Sequence, residues 1–317
     1  MKRILICWLI VLFSFGLTGC SQSEKTDDNN DQADNITINI GVMPDVESIP
    51  FLIAQKNGYF DQEGVRVNIQ HFSSAKDRDS ALQSGKLDGV ITDMAAVLFA
   101  NEGGIKLRMI SRNDGDITLM SGKDSGINSV IELKGKDIGL STNTIMEYTT
   151  DRMLEAAGLK PSDVNKIAIP PLPTRLEMLQ GGKVTAAILP EPMSGLAINN
   201  GAVILSSTAE LKNKAGAIAF TESSIEKAPE KITAVFRAYD KAVEYLQAEP
   251  AEGYIDYIIE EQRFPAAMKD SLVLPRYHKA ELPSETIFND VVLWMQEKEL
   301  IKGNYEYKEL TRDNILK

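Results

Sequence analysis

Ile36, Ile38 and Ile40 alternate with polar residues, the two-residue period of a strand with one buried face. Val65, Val67 and Ile69 repeat the alternation. Between them, 41–50 reads as a loop, and an apolar helix starts at Phe51, runs toward Phe60 and ends near Gly58. Short helices then alternate with short apolar runs: a helix over 77–84, a strand over 87–91, a helix over 94–101 and a strand over 107–111. That alternation predicts βαβ units and a mostly parallel sheet. The order recurs as a strand over 137–140, a helix over 144–157, a strand over 167–169, a helix over 174–180 and a strand over 184–189. Pro190-Glu191-Pro192 is a hard stop, and 202–205 and 217–220 read as further strands. From Pro229 onward the pattern is helical, over 231–248, 252–261 and 285–299. Val235, Ala238, Tyr239, Val243 and Leu246 stand at helical spacing as core positions.

One word occurs twice. Gln83-Ser84-Gly85-Lys86 leads to a strand containing Ile91, and Gln180-Gly181-Gly182-Lys183 to one containing Ile188. Leucines precede both (Leu82, Leu179), and Gly85 and Gly182 stand 97 residues apart. So long an offset is not a solenoid period and points to two lobes of the same build. Ordinary helix-to-strand capping chemistry would give the same word.

The N-terminus is patterned differently. Lys2 and Arg3 precede an apolar run over 4–17, too short for the ~20 residues of a spanning helix. Leu17-Thr18-Gly19-Cys20 follows, and the layout reads as a secretory signal over 1–19. It resembles a bacterial lipoprotein signal, which implies cleavage before Cys20 and a diacylglycerol on its sulfur. The protein is then expected at the cell membrane, lipid-anchored on the extracytoplasmic face. An ordinary signal with an incidental cysteine is the alternative. Residues 21–35 are polar and acidic, so 20–35 reads as the anchored cysteine and a flexible tether, with a reach on the order of 20 Å.

The 317 residues suit two domains, and 43% hydrophobic and 25% charged residues provide for sizeable cores. A net charge of −11 argues against a nucleic-acid partner and against electrostatic adhesion to anionic lipid. The two cysteines are Cys7 and Cys20, so the folded part has no disulfide, no thiol nucleophile and no thiolate metal site. His71 and His278 are the only histidines, and zinc-protease, phosphate-loop, dinucleotide-loop and nucleophile-elbow motifs are absent. This is a poor inventory for an enzyme, and no catalytic residue, cofactor or metal is expected.

Gly41-Val42-Met43-Pro44-Asp45, Ile49-Pro50-Phe51-Leu52-Ile53-Ala54, Asn57-Gly58-Tyr59-Phe60 and Glu63-Gly64-Val65 together resemble the opening of ABC-transporter solute-binding lipoproteins of the SsuA/THI5-like group. Gln83, Gly85, Asp88, Gly89 and Glu191-Pro192 are similar to that family as well. The resemblance covers 36–220. It implies an α/β, two-lobed periplasmic-binding-protein-like fold of type II, each lobe a mostly parallel sheet flanked by helices, with C-terminal helices. The implied crossings lie near 112–119 and 207–217, giving lobe one as 36–112 plus 218–317 and lobe two as 113–217. The implied function is capture of a small solute, by a monomer, for delivery to a permease and its ATPase. THI5-like pyrimidine synthases share the fold but use a cysteine-rich iron motif that this chain lacks.

In open α/β sheets ligands sit beyond the C-terminal ends of strands, beside helix N-termini. Four loops qualify: Met43, Pro44, Asp45 and Ser48; Thr92 and Asp93; Ser141, Thr142, Asn143 and Thr144; and Pro190 to Pro192 with Glu191. The third offers a helix start, suited to capping or to a polar ligand head. Tyr148, one turn further, is the candidate to stack on a flat ligand. Asp45, Glu47, Asp93 and Glu191 favour a solute with N–H donors or positive charge, such as a pyrimidine-type vitamin precursor. Arg112, Arg152 and Arg175 are the basic candidates if the solute is instead a sulfonate or nitrate, with surface ion pairs as their alternative role.

Overall fold

The computed structural model describes residues 36–269 and 272–317. The signal, Cys20 and the tether lie outside the described residues.

In chain order the strands are β1 (Thr37–Val42), β2 (Arg66–His71), β3 (Gly89–Asp93), β4 (Leu107–Ser111) and β5 (Ile117–Ser121). They continue with β6 (Asp137–Leu140), β7 (Asn165–Ala168), β8 (Ala186–Pro190), β9 (Val203–Ser207) and β10 (Gly216–Thr221). The α-helices begin with α1 (Ile49–Lys56), α2 (Tyr59–Gln62), α3 (Ala75–Gln83) and α4 (Met94–Glu102). Next come α5 (Ile145–Ala156), α6 (Leu172–Gln180), α7 (Met193–Asn199) and α8 (Glu222–Lys227). The last are α9 (Pro229–Ala248), α10 (Ile255–Glu261), α11 (Glu285–Glu297) and α12 (Tyr307–Leu310).

Two five-stranded sheets result, ordered β2-β1-β3-β10-β4 and β7-β6-β8-β5-β9. In each, three strands pair in parallel, as the alternating pattern predicts. The fourth is the strand that has just crossed from the other sheet, and it runs antiparallel to both neighbours: β10 in the first sheet, β5 in the second. The sheets are thus two copies of one topology. The chain crosses between them over 112–116 and 208–215.

The crossing strands are buried on both faces. Ala217, Ile218, Ala219 and Phe220 are fully buried, and so are Leu119 and Met120. Such strands read as short continuous apolar runs without alternation, which is why 117–119 was expected to be crossing segment and is strand instead. Helices α7 and α8 were also unexpected. Pro192 reads as a stop in sequence, yet it is the residue from which α7 starts, a position where a missing N–H costs nothing. Gly58, at φ +68°, separates α1 from α2.

The first sheet buries one face under α1 and α9, where Ile38, Ile40, Phe51, Phe236 and Tyr239 meet. Its other face lies under α4 and α11, around Met94, Leu98, Phe288 and Met295. Helix α11 rests on α4 and sends long side chains to α5 of the second lobe. Asp290 accepts from the Tyr148 hydroxyl and from Arg152 Nε, both at 2.7 Å; Trp294 Nε1 donates to Asp151 at 3.0 Å; Lys298, just past the helix, reaches Glu147 at 2.6 Å.

Candidate functional site

The C-terminal ends of β1, β3, β4, β6, β8 and β9 all open on the edge where the chain crosses between sheets, a consequence of the strand directions. The crossing segments are bonded to each other. Asp116 accepts from Thr208 Oγ1 and from the Ala209 N–H (2.8 Å), and the Ile117 N–H donates to Thr208 Oγ1 (3.0 Å). Asn113 donates to the Thr92 carbonyl (2.9 Å), and its carboxamide fills the space a side chain on Gly216 would need.

On the lobe-one side, the turn after β1 folds on itself. Asp45 Oδ1 accepts from the Ser48 N–H (3.0 Å) and hydroxyl (2.8 Å). Gln262 Nε2, from the residue after α10, donates to Ser48 Oγ and to the Asp45 carbonyl, both at 2.6 Å. The Tyr277 hydroxyl donates to the Val46 carbonyl at 2.8 Å. Glu47 lies against Gly115 of the first crossing, where a Cβ would stand 2.1 Å from Glu47 Oε1. Burial pushes the Asp45 carboxyl up to about 6 and Glu47 well above the usual carboxylate range; the charge of Asp45 adds to the latter.

On the lobe-two side, Glu191 ends the β8 loop. Burial raises its carboxyl against a bond from the Ser194 hydroxyl (2.5 Å), and the charge of Asp116 adds to the rise. Glu47, Gly115, Asp116 and Glu191 therefore form one acidic belt across the junction. Three buried oxygens at the two loops, Glu47 Oε2, Gln262 Oε1 and Glu191 Oε2, have no donor among the described residues.

Behind the strand ends stand two buried arginines at equivalent places in the repeat. Arg78 donates to the Ile91 carbonyl (2.7 Å) and to Thr92 Oγ1 (3.1 Å). Arg175, 97 residues on, donates to the Ile188 carbonyl (2.8 Å), the Ile169 carbonyl (2.9 Å), the Pro170 carbonyl (3.3 Å) and Ser141 Oγ. Each stem lies over a glycine in the strand that pairs in parallel on both sides, Gly41 in β1 and Gly139 in β6.

The NMT1/THI5-like family pattern matches residues 45–253. The chain belongs to the NMT1/THI5-like family. A relative in Brachyspira hyodysenteriae, whose name assigns it to the ABC transporter periplasmic binding proteins, is 26% identical over 78% of this chain and 73% of its own length. A 4-amino-5-hydroxymethyl-2-methylpyrimidine phosphate synthase of Saccharomyces cerevisiae is 25% identical over 71% of each chain. The periplasmic aliphatic sulphonate binding protein SsuA of Escherichia coli superposes with a TM-score of 0.72 at 18% identity, over 86% of this chain and 91% of that one, a likeness of fold. Among the described residues no helix is long and apolar enough to cross a membrane, and no cluster of metal-ligating side chains occurs.

Within this NMT1/THI5-like chain the residues singled out from sequence divide. Asp45, Ser48 and Glu191 come to the junction, with Met43 half-buried beside them and Pro44 exposed. Thr92 is taken by Arg78, and Asp93 caps α4 by accepting from the Ala96 N–H (2.9 Å) while burial raises its carboxyl. Thr144 caps α5, Ser141 is taken by Arg175, and Thr142 and Asn143 are exposed. Tyr148 is a correction. Its ring is fully buried edge-on to Trp294, with Arg152 5.2 Å from its centroid and its hydroxyl on Asp290, so no face is left for a flat ligand. Arg112 pairs with Asp114 and Glu281, and Arg152 with Glu155 and Asp290. Arg175 makes no surface ion pair; it is 0% exposed and holds main-chain carbonyls. Sequence reading missed Asn113, Asp116, Thr208 and Gln262. The polar word Asn113-Asp114-Gly115-Asp116 between two apolar runs was the available signal for the first two.

Proposed function

We propose that this chain is the solute receptor of an ABC importer. It captures a small N–H-bearing solute, an amine or a nitrogen heterocycle such as a pyrimidine-type vitamin precursor, between its two lobes and hands it on unchanged. The lobes, 36–112 plus 218–317 and 113–217, hinge about the two crossing segments. The observation that carries the solute class is the pair of buried acceptors without a donor among the described residues, Gln262 Oε1 and Glu191 Oε2. Burying such groups unpaired is costly, and a ligand bearing N–H groups relieves that cost. The Brachyspira relative supports the receptor role over the synthase role, as does a chain without cysteine after Cys20.

A thermal-shift screen of the chain from Ile36 onward tests the reading, with amino-pyrimidines, polyamines, sulfonates and nitrate as probes. Ligand at a hundred times its Kd adds about 2.7 kcal/mol of stability. A shift with an N–H-rich probe, lost in Glu191→Ala and with the probe recovered intact, is expected. A second reading, an anion receptor, draws on Arg175, a buried guanidinium with no carboxylate partner. A shift with sulfonate or nitrate alone would replace the first reading by the second.

The protein works at the extracytoplasmic face as a monomer, held by lipid on Cys20 and docking on a permease with its ATPase. Labelling with a radioactive fatty acid should mark the protein and vanish in Cys20→Ser. Persistent labelling in that variant would dismiss the anchor.

A further inference from the structure

The turn after β1 holds Asp45 and Glu47 with their carboxyl groups within hydrogen-bonding reach of each other. Two ionised carboxylates have only acceptors and cannot bond, so that contact needs a proton. Asp45 Oδ1 already accepts twice from Ser48, which suits the charged member. Glu47 Oε2 is buried and receives no donor, which places the proton on Glu47. Burial acts in the same sense, raising both carboxyls and Glu47 the further. The other titratable groups that act on the pair are Arg78 from α3, toward Asp45, and Lys214 from the second crossing, toward Glu47, with the Tyr277 hydroxyl behind Val46.

Gln262 is an independent observation at the same place. It is 1% exposed, and its Nε2 donates to the Asp45 carbonyl and to Ser48 Oγ. A carbonyl can only accept, so the orientation of the amide is fixed, and Oε1 is left as an acceptor with no donor.

We propose that Asp45, Glu47 and Gln262 form a subsite for a protonated nitrogen of the solute, and that this cation takes the place of the proton the two carboxyls share. The proposal rests on the receptor reading and adds the charge of its solute. Without solute the pair carries one proton and a net charge of −1. An ammonium or amidinium group entering the subsite sends that proton to solvent, and two carboxylates with one cation again sum to −1. Asp45, Glu47 and Gln262 Oε1 supply three acceptors for the three N–H groups of an ammonium. Because Glu47 lies against Gly115, occupancy of the subsite is felt at the crossing segment.

Methylammonium chloride is the probe and tetramethylammonium chloride, of equal charge but without N–H, the control. Unfolding of the purified protein in urea is followed from pH 5 to pH 8 at constant ionic strength. Methylammonium should raise the midpoint and tetramethylammonium should not. The apparent affinity should climb toward tenfold per pH unit while one proton is displaced per cation. The effect should disappear in Glu47→Gln and in Gln262→Leu. Equal responses to the two cations, or a Glu47 carboxyl that titrates in the ordinary range by carbon-13 NMR, overturns the proposal. A protonated Glu47 with no response to either cation overturns the cation subsite and leaves the receptor reading standing. The receptor reading falls separately, on solute turnover in the screen.

Discussion

Arg175→Met removes a guanidinium and keeps most of the stem that lies over Gly139. Two opposing quantities set the outcome. Burial pulls the Arg175 guanidinium well below its usual range, to about 10, so charging it inside the fold costs about 3 kcal/mol, which methionine recovers. Against that, the buried Ile169 and Ile188 carbonyls lose their charged donor, while the exposed Pro170 carbonyl can turn to water. A buried acceptor left unpaired costs roughly 1–3 kcal/mol, so two of them cost on the order of 4 kcal/mol. The loss outweighs the gain, and the variant should be less stable by about 1 kcal/mol. In urea, with a slope of about 3 kcal/mol per molar, the midpoint should fall by about 0.3 M at unchanged slope. Solute-free protein suffices, because the bonds are internal. An unchanged or higher midpoint would refute the reasoning and mean that the carbonyls find other donors.

Two further outcomes follow from the junction and from α11. In Gly115→Ala the new methyl would stand 2.1 Å from Glu47 Oε1, so Glu47 must leave the crossing segment, and solute affinity by calorimetry should drop at least tenfold; unchanged affinity would detach Glu47 from the site. Burial alone would raise the Glu147 carboxyl, but bonds from Lys298, the Asn143 N–H and Lys166 hold it below its usual range. A depressed acid stabilises the fold above its unfolded value of about 4.5, and that contribution is lost as pH falls further. Glu147→Gln should therefore be less stable than the parent at pH 7, with the gap closing toward pH 3; a gap independent of pH would contradict the assignment.

The repeat was legible because helix-to-strand turns demand glycine, and Gly85 and Gly182 mark the same turn in two sheets. The repeated word stopped short of its most structural members. Arg78 and Arg175 share its offset, but a lone arginine at a helix start carries no pattern that tells a surface ion pair from a clasp on carbonyls. Strand β5 escaped for the reason any doubly buried strand does, having no polar alternation to show. Tyr148 sits one turn into a helix beside a candidate loop, and only tertiary packing reveals that α11 covers it. Gln262 lies more than 200 residues from the Ser48 hydroxyl it meets, a distance across which local pattern is silent. Asp45 and Glu191 were within reach because strand-end loops are constrained by topology rather than by distant partners.

Strands β3 and β4 are separated by β10, which bonds to both, and β10 follows the entire second sheet in the chain. A chain that emerges from its N-terminus thus presents β1, β2 and β3 with an open edge and β4 without a neighbour until residue 221 has appeared. The second sheet has no such wait, since β5 to β9 are consecutive. The order of assembly is then the reverse of the order of synthesis: the lobe encoded second can close first and serve as the template edge from which β10 returns to complete the lobe encoded first. Truncation between 207 and 216 should leave a finished second lobe attached to an unfinished first one, an object with an exposed sheet edge and a strong tendency to aggregate.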